Sequence, residues 1–381
     1  MKKLVFLISV VIILLNVSDG IGVEAAAVHE ISAKAAVVIS ADTGEIVYGL
    51  NEDEKLPMAS TTKIMTTLLC LESGGLYEPF VVDSEAIKVE GSSMGLQEGD
   101  IVTKYALCCG MLLPSGNDAA NAAAVKLAGS IEAFADMMND KARELGLSHT
   151  YFVTPSGLEG EGHGSSAYDM AILAREALKN ETFREICSCT SKKVEFGNPP
   201  YERWLKNTNK LLSMYGGVYG VKTGFTDEAG RCLVSACERD GKDLICVTLN
   251  DRSDWDDHMK LYDYAFGAVN TVSVEVPDDM SIEVVGAETE KVGLTACEDD
   301  LNVTSFSAAG DDFSFKLISS PFVYAPIKKG GKLAQLAILL NDREVKRVPL
   351  YASEDADCKP DKKANKRRPT SLLYRIIKAV F

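Results

Sequence analysis

Histidine is scarce in this chain, which has only His29, His149, His163 and His258. They form no cluster with cysteine at zinc-ligand spacing, so no metal is expected. Positive charge is also short: 40 Lys and Arg face 55 Asp and Glu, a net charge of −15. Phosphate backbones need a basic surface, so nucleic acid is not an expected partner. No glycine-rich phosphate loop is present, and no nucleotide or other cofactor is expected. Long apolar runs are few, and the longest is short for a membrane span, although an uncleaved N-terminal anchor is the alternative to a signal peptide.

The longest apolar run is "LVFLISVVIILLNV", Leu4 to Val17, behind Lys2 and Lys3. A short apolar core with basic flanks suits a signal peptide. Ala25 and Ala27 supply an A-x-A cleavage pattern, so residues 1–27 are expected to be a signal, and the rest to lie outside the cytoplasm. Ten cysteines would then suggest disulfides. Yet Cys108 and Cys109 are adjacent in an apolar helical stretch, and Cys232, Cys237 and Cys246 fall in strand-like runs. Most are expected to be small buried hydrophobes.

The 381 residues suffice for two domains. "AKAAVVISADTGEIVYGLNED" reads as two strands around Asp42-Thr43-Gly44. A helix is expected from Ala59 to Ser73, stopped by Gly74-Gly75. Further helices follow, one broken at Pro114-Ser115-Gly116 and one capped by Gly146. Then "GVYGVKTGFT" and "RCLVSACERDGKDLICVTLND" read as three strands, before the helical "DDHMKLYDYAF". Terminal hairpins around central helices imply an α+β fold with an antiparallel sheet. This first domain is placed at 28–270. Short β-rich runs fill 271–352, a second small all-β domain. A polar tail and an amphipathic helix are expected in 353–381. There Leu372, Leu373, Ile376, Ile377, Val380 and Phe381 form one stripe, behind Lys362, Lys363, Lys366, Arg367 and Arg368. An apolar stripe with basic flanks suits an anionic membrane surface.

Chemistry is carried by three short strings. Ser60 and Lys63 are spaced to share a face at a helix start. There a lysine of depressed pKa could take a serine proton, although serine is also a common N-cap. Ser115-Gly116-Asn117 lies at the helix break, and Lys222-Thr223-Gly224 lies in a strand. S-x-x-K, S-x-N and K-T-G in this order make up the set of penicillin-reacting serine enzymes. "GSSMGLQEGD" (from Gly91) and "TPSGLEGEGHGSSAYDMA" (from Thr154) extend the match.

On these strings the chain resembles the D-alanyl-D-alanine carboxypeptidases, the low-molecular-mass penicillin-binding proteins, over nearly its whole mature length. The resemblance implies a helix-covered antiparallel sheet followed by a β domain. It implies that Ser60 attacks the carbonyl between two D-alanines of a peptidoglycan stem peptide, with Lys63 as general base. Ser115 would relay a proton to the leaving amine. Asn117 would hold the peptide amide and position Lys63. Lys222 would supply positive charge, Thr223 would bind the terminal carboxylate, and Gly224 would let substrate lie along the strand. The N–H groups of Ser60 and Phe225 would form the oxyanion hole, and Arg252 is a candidate second carboxylate ligand. β-Lactams would be covalent inhibitors. Phe225 is aromatic where some relatives are polar, which leaves the preference for the substrate's third residue open.

Two other readings stay on the table: a β-lactamase, and a non-catalytic sensor of β-lactams or wall fragments on the same fold. A histidine-based hydrolase is less well supported. His163 sits in a glycine-rich loop and is expected to position that loop. Asp169, at a helix start, is expected to be a cap or ion-pair residue.

Overall fold

The computed structural model describes residues 30–277, 279–307 and 312–359. The expected signal (1–27) and the stripe from Leu372 to Phe381 lie outside the described residues. Among the described residues no helix is long and apolar enough to cross a membrane.

Five antiparallel strands form the central sheet, in the order Ile46–Leu50, Ala35–Ser40, Lys242–Leu249, Gly230–Arg239, Val218–Thr226. The first domain's opening hairpin thus joins its closing three strands, through the pairing of Ala35–Ser40 with Lys242–Leu249. Ala35–Ser40 is an unbroken apolar run because it is buried on both sides. Its Ala35, Val37 and Ile39 face one core, and Ala36 and Val38 face the other, the period-2 alternation of a strand. Helices Lys63–Glu72, Lys104–Leu112, Asn117–Ala128, Ile131–Glu144, Ala167–Leu178 and Glu181–Ser188 cover the first face. Asp254–Ala268 covers the second with Leu261, Tyr262, Ala265 and Phe266. Full burial of a leucine or phenylalanine side chain such as Leu261 or Phe266 contributes about 1.5–3 kcal/mol. Gly146 ends its helix as expected, at φ 73°, with its N–H bonded to Arg143 O.

One hairpin was not legible in the sequence. Ser191–Gly197 pairs with Pro200–Lys206, and together with Phe80–Val81 and Ile101–Val102 makes a four-stranded sheet. Its outward positions mix Lys193, Glu195 and Glu202 with the exposed Tyr201 and Trp204, so its alternation marks no apolar face, and Pro199-Pro200 reads as a breaker. Pro200 is tolerated because it begins a strand at the sheet's edge.

From Asn270 the described chain is β-rich. Asn270–Ser273 pairs with Asn302–Ser305. A six-stranded sheet follows in the order Phe313–Ser319, Lys332–Leu340, Arg343–Ala352, Lys291–Thr295, Ser281–Val285, Phe322–Tyr324. Only the last pair is parallel. Isolated bridges Ile327–Ala356 and Ala287–Cys358 carry this domain past Ala352, so its β structure reaches Cys358. The β domain has its own cores and meets the first domain through polar contacts. Thr304 N donates to Asp42 Oδ2 at 2.6 Å, and Ser40 Oγ donates to Thr304 O at 2.6 Å.

All ten cysteines are free thiols, and seven of them are buried. Burial pushes Cys109, Cys187, Cys232 and Cys237 up to about 12, so they remain inert small hydrophobes.

Candidate active site

Ser60 does not cap an α-helix. It lies in a 3₁₀ turn, Ala59–Thr62, and the α-helix begins only at Lys63. No side chain caps either start, so the N-cap reading of Ser60 fails. Ala59, just before it, has φ 47°, a left-handed conformation that costs a residue with a Cβ about 1–2 kcal/mol. Packing around the turn enforces that conformation. A Cβ on Gly157 would lie 2.0 Å from Ala59 O, and one on Gly224 would lie 3.1 Å from Ser60 N. The turn is thus clamped between the loop at Gly157 and the K-T-G strand.

Lys63 is fully buried, and its Nζ has three oxygen neighbours. Ser60 Oγ is at 2.8 Å, Asn117 Oδ1 at 2.7 Å and Ser156 O at 2.6 Å. Asn117 Nδ2 donates to Glu90 O at 2.7 Å, which fixes the amide so that Oδ1 faces the lysine. Asn117 Oδ1 and Ser156 O can only accept. A neutral Lys63 spends both its N–H bonds on them and is left with its lone pair toward the Ser60 hydroxyl. Burial, and after it the charge of Lys222, hold the Lys63 amine well below the ordinary lysine value, against an opposing pull from Asp118. Geometry and electrostatics therefore favour the form that accepts a proton.

Ser115 follows the helix Lys104–Leu112 and takes φ 65°, again left-handed. Gly116 has no space for a side chain: a Cβ there would meet Met94 N at 2.8 Å. Ser115 Oγ has no hydrogen-bond partner among the described residues. Asn117 opens the alanine-rich helix, whose small residues let it pack closely in the core. Next to it, the buried Asp118 carboxylate accepts from Ser93 Oγ and from the N–H groups of Met94, Gly95 and Leu96. This ties the Gly91–Leu96 stretch to the Ser115–Asn117 break. The string Gly91-Ser92-Ser93-Met94-Gly95 also spells G-x-S-x-G. It forms no strand-to-helix elbow, and Ser93 is occupied by Asp118, so it is not a second nucleophile.

Lys222 is buried, which lowers it to about 7. Its Nζ donates to Thr223 O at 2.7 Å, and no hydrogen bond among the described residues joins it to Ser60 or Ser115. Its charge acts on Lys63. Thr223 Oγ1 meets Thr208 Oγ1 at 2.7 Å. Phe225 presents its ring to solvent, 63% exposed. Arg252 is exposed, and no hydrogen bond among the described residues joins it to Thr223.

Ser156, Asp118 and Thr208 were not singled out in the sequence. Ser156 acts through a backbone oxygen, which no residue type reports. Asp118 adjoins the S-x-N string, and its position at N2 of a helix was the available signal. Asp169 is structural: its Oδ2 accepts from His149 N and Thr150 Oγ1, while Ser166 is the cap. His258 is buried between Ser235 and Thr248, and burial lowers it to about 3. It stays neutral and takes no part in the site. No group of residues that could hold a metal occurs among the described residues.

The sequence matches the D-alanyl-D-alanine carboxypeptidase family over residues 22–253. It is 34% identical over 337 residues to D-alanyl-D-alanine carboxypeptidase DacF of Bacillus subtilis, covering 86% of each chain. It is 32% identical over 345 residues to DacC of Escherichia coli, covering 86% of this chain and 85% of that one. Among solved structures, the Streptomyces K15 DD-transpeptidase aligns with a TM-score of 0.60 at 32% identity, over 62% of this chain and 98% of that one. DacD of Francisella tularensis aligns with a TM-score of 0.58 at 27% identity, over 87% of this chain and 95% of that one. With the serine, the buried lysine and the K-T-G strand assembled on this fold, the chain belongs to the D-alanyl-D-alanine carboxypeptidase family of serine peptidases.

Proposed function

We propose that this enzyme removes the terminal D-alanine from peptidoglycan stem pentapeptides through an acyl-enzyme on Ser60. One observation carries the reading: the Ser60 Oγ to Lys63 Nζ contact of 2.8 Å, with both lysine hydrogens engaged elsewhere. Lys63 takes the Ser60 proton as Oγ attacks the carbonyl between the two D-alanines. The tetrahedral oxyanion forms beside Ser60 N, with Phe225 N as the second donor, each worth on the order of 3 kcal/mol. The proton passes by way of Ser115 to the leaving amine, the C–N bond breaks and D-alanine departs. Water then hydrolyses the ester. Lys222 and Thr223 hold the substrate's carboxylate, and its backbone lies along the strand at Gly224, where a side chain would strike the Ser60 turn.

Penicillin acylates the same serine and stays. Among the described residues no carboxylate hydrogen-bonds to Ser60, Lys63 or Asn117. A β-lactamase would need a base placed to activate water for rapid release of its acyl group. The test is D-alanine release from a peptide ending in D-Ala-D-Ala, comparing the mature protein with Ser60→Ala. Release and penicillin labelling are both expected to vanish in the variant. Equal release by both would end the Ser60 mechanism. No release by either, with the wild type still labelled by penicillin, would favour the sensor or a stricter substrate.

The enzyme is also proposed to act outside the cytoplasm, held at the membrane surface by the stripe Leu372–Phe381. The sequence pattern supports this. A chain ending at Lys359, which keeps the Ala287–Cys358 bridge, should release D-alanine normally but no longer sediment with anionic vesicles.

A further inference from the structure

Among the described residues, His163 is the one histidine hydrogen-bonded to the nucleophile's turn. Its Nδ1 accepts from Val153 N at 2.9 Å, and its Nε2 lies 3.0 Å from Thr62 Oγ1. The first contact fixes the tautomer. A backbone N–H can only donate, so Nδ1 carries no proton, and Nε2 must carry the hydrogen and donate it to Thr62. The ring also sits edge-on to Phe152, with centroids 6.1 Å apart. Burial, with the charge of Lys55 behind it, lowers His163 to about 4, so the neutral form holds at working pH.

The two partners belong to different parts of the site. Thr62 lies between Ser60 and Lys63 in the turn that carries the nucleophile. Val153 opens the loop that delivers Ser156 O to Lys63 and Pro155 O to Thr66 Oγ1, both at 2.6 Å. That loop also presses Gly157 onto Ala59. The three groups around Lys63 Nζ therefore come from three chain segments, and the aim of its lone pair depends on holding the turn and the loop in register.

We propose that His163 is a positioning residue for acylation, a bridge in a single tautomer that locks the Ser156 loop to the Ser60–Lys63 turn through Thr62. This rests on the Ser60 mechanism given above. The ring touches no reacting atom and takes no proton in the cycle. Sub-ångström drift of a base from its nucleophile is costly, because the oriented pair supplies much of the rate.

The test is the acylation rate by a fluorescent penicillin, per active site counted by burst titration, in the full mature chain. His163→Ala is expected to slow acylation about 10- to 100-fold, and to lower kcat for D-alanine release with KM within about twofold. Thr62→Val should slow it comparably, and the double variant should be no slower than the worse single. His163→Asn keeps an acceptor near Nδ1, and His163→Gln keeps a donor near Nε2. Each retains one arm of the bridge and should recover only part of the rate. Wild-type acylation per titrated site in His163→Ala would overturn the proposal, even with a lowered Tm, since that is a purely structural role. Full recovery in either amide variant would overturn the bridge, as would multiplying effects of the His163 and Thr62 changes. A wild type that penicillin does not label would instead overturn the Ser60 mechanism, and this proposal with it.

Discussion

Lys222 sets its charge against that of Lys63: after burial, it is the strongest influence keeping the Lys63 amine deprotonated. Two buried amines thus serve one serine in opposite states. Lys63 must be neutral to take a proton, and Lys222 must be charged to favour an anionic substrate. Burial works for the first and against the second.

A pH profile follows from this opposition. Activity rises with pH as Lys63 loses its proton, below the ordinary lysine range. Lys222 supplies a falling limb, since the free residue becomes neutral as pH passes through about 7. The falling limb belongs to the free enzyme and should appear in kcat/KM. A bound carboxylate raises the Lys222 pKa, so the limb in kcat should sit at higher pH. Lys222→Arg remains charged throughout and should remove the alkaline limb. A limb that stays at the same pH in that variant would assign it to another group.

Asp118 tests how the rim of the site is held. Its carboxylate takes hydrogen bonds from Ser93 Oγ and three consecutive N–H groups, and it is 2% exposed. Asp118→Ala strands those donors and should cost about 2–4 kcal/mol in unfolding free energy. It should also slow acylation, because Asn117, the next residue, positions Lys63. Urea unfolding and penicillin labelling measure the two effects. A stable variant with normal labelling would show that the Gly91–Leu96 stretch holds itself.

The clamp on Ala59 can be tested with two glycines of similar φ. Gly157 is at 85° and Gly146 at 73°. Nothing lies within 4 Å of a Cβ at Gly146, whereas Gly157 would drive one into Ala59 O. Gly146→Ala should cost only the left-handed conformation, about 1 kcal/mol, and leave activity intact. Gly157→Ala should displace the nucleophile turn and abolish measurable acylation. Equal behaviour of the two variants would remove the clamp.

Much of the site was legible in the primary structure because its chemistry requires particular side chains at fixed local spacings. Ser60 with Lys63, Ser115 with Asn117, and Lys222 through Gly224 are each short strings, and their order identifies the family. The central sheet was legible for the same reason. Runs such as Ala35–Ser40 are continuously apolar because both faces are covered. The hairpin Ser191–Lys206 was missed because a half-solvated strand at a sheet edge leaves little pattern.

By itself, then, the sequence determined the reagents and the fold that carries them, since side-chain identity and apolar periodicity are local properties. Only the tertiary structure decided what those reagents can do. Ser60 could have been a helix cap until it appeared in a 3₁₀ turn with Lys63 at 2.8 Å. The direction of the Lys63 lone pair is set by Ser156 O and Asn117 Oδ1, which lie 93 and 54 residues along the chain. The protonation states come from burial, which is a property of the packed whole. A carbonyl oxygen carries no side-chain signature, and desolvation exists only once the chain has folded around the amine.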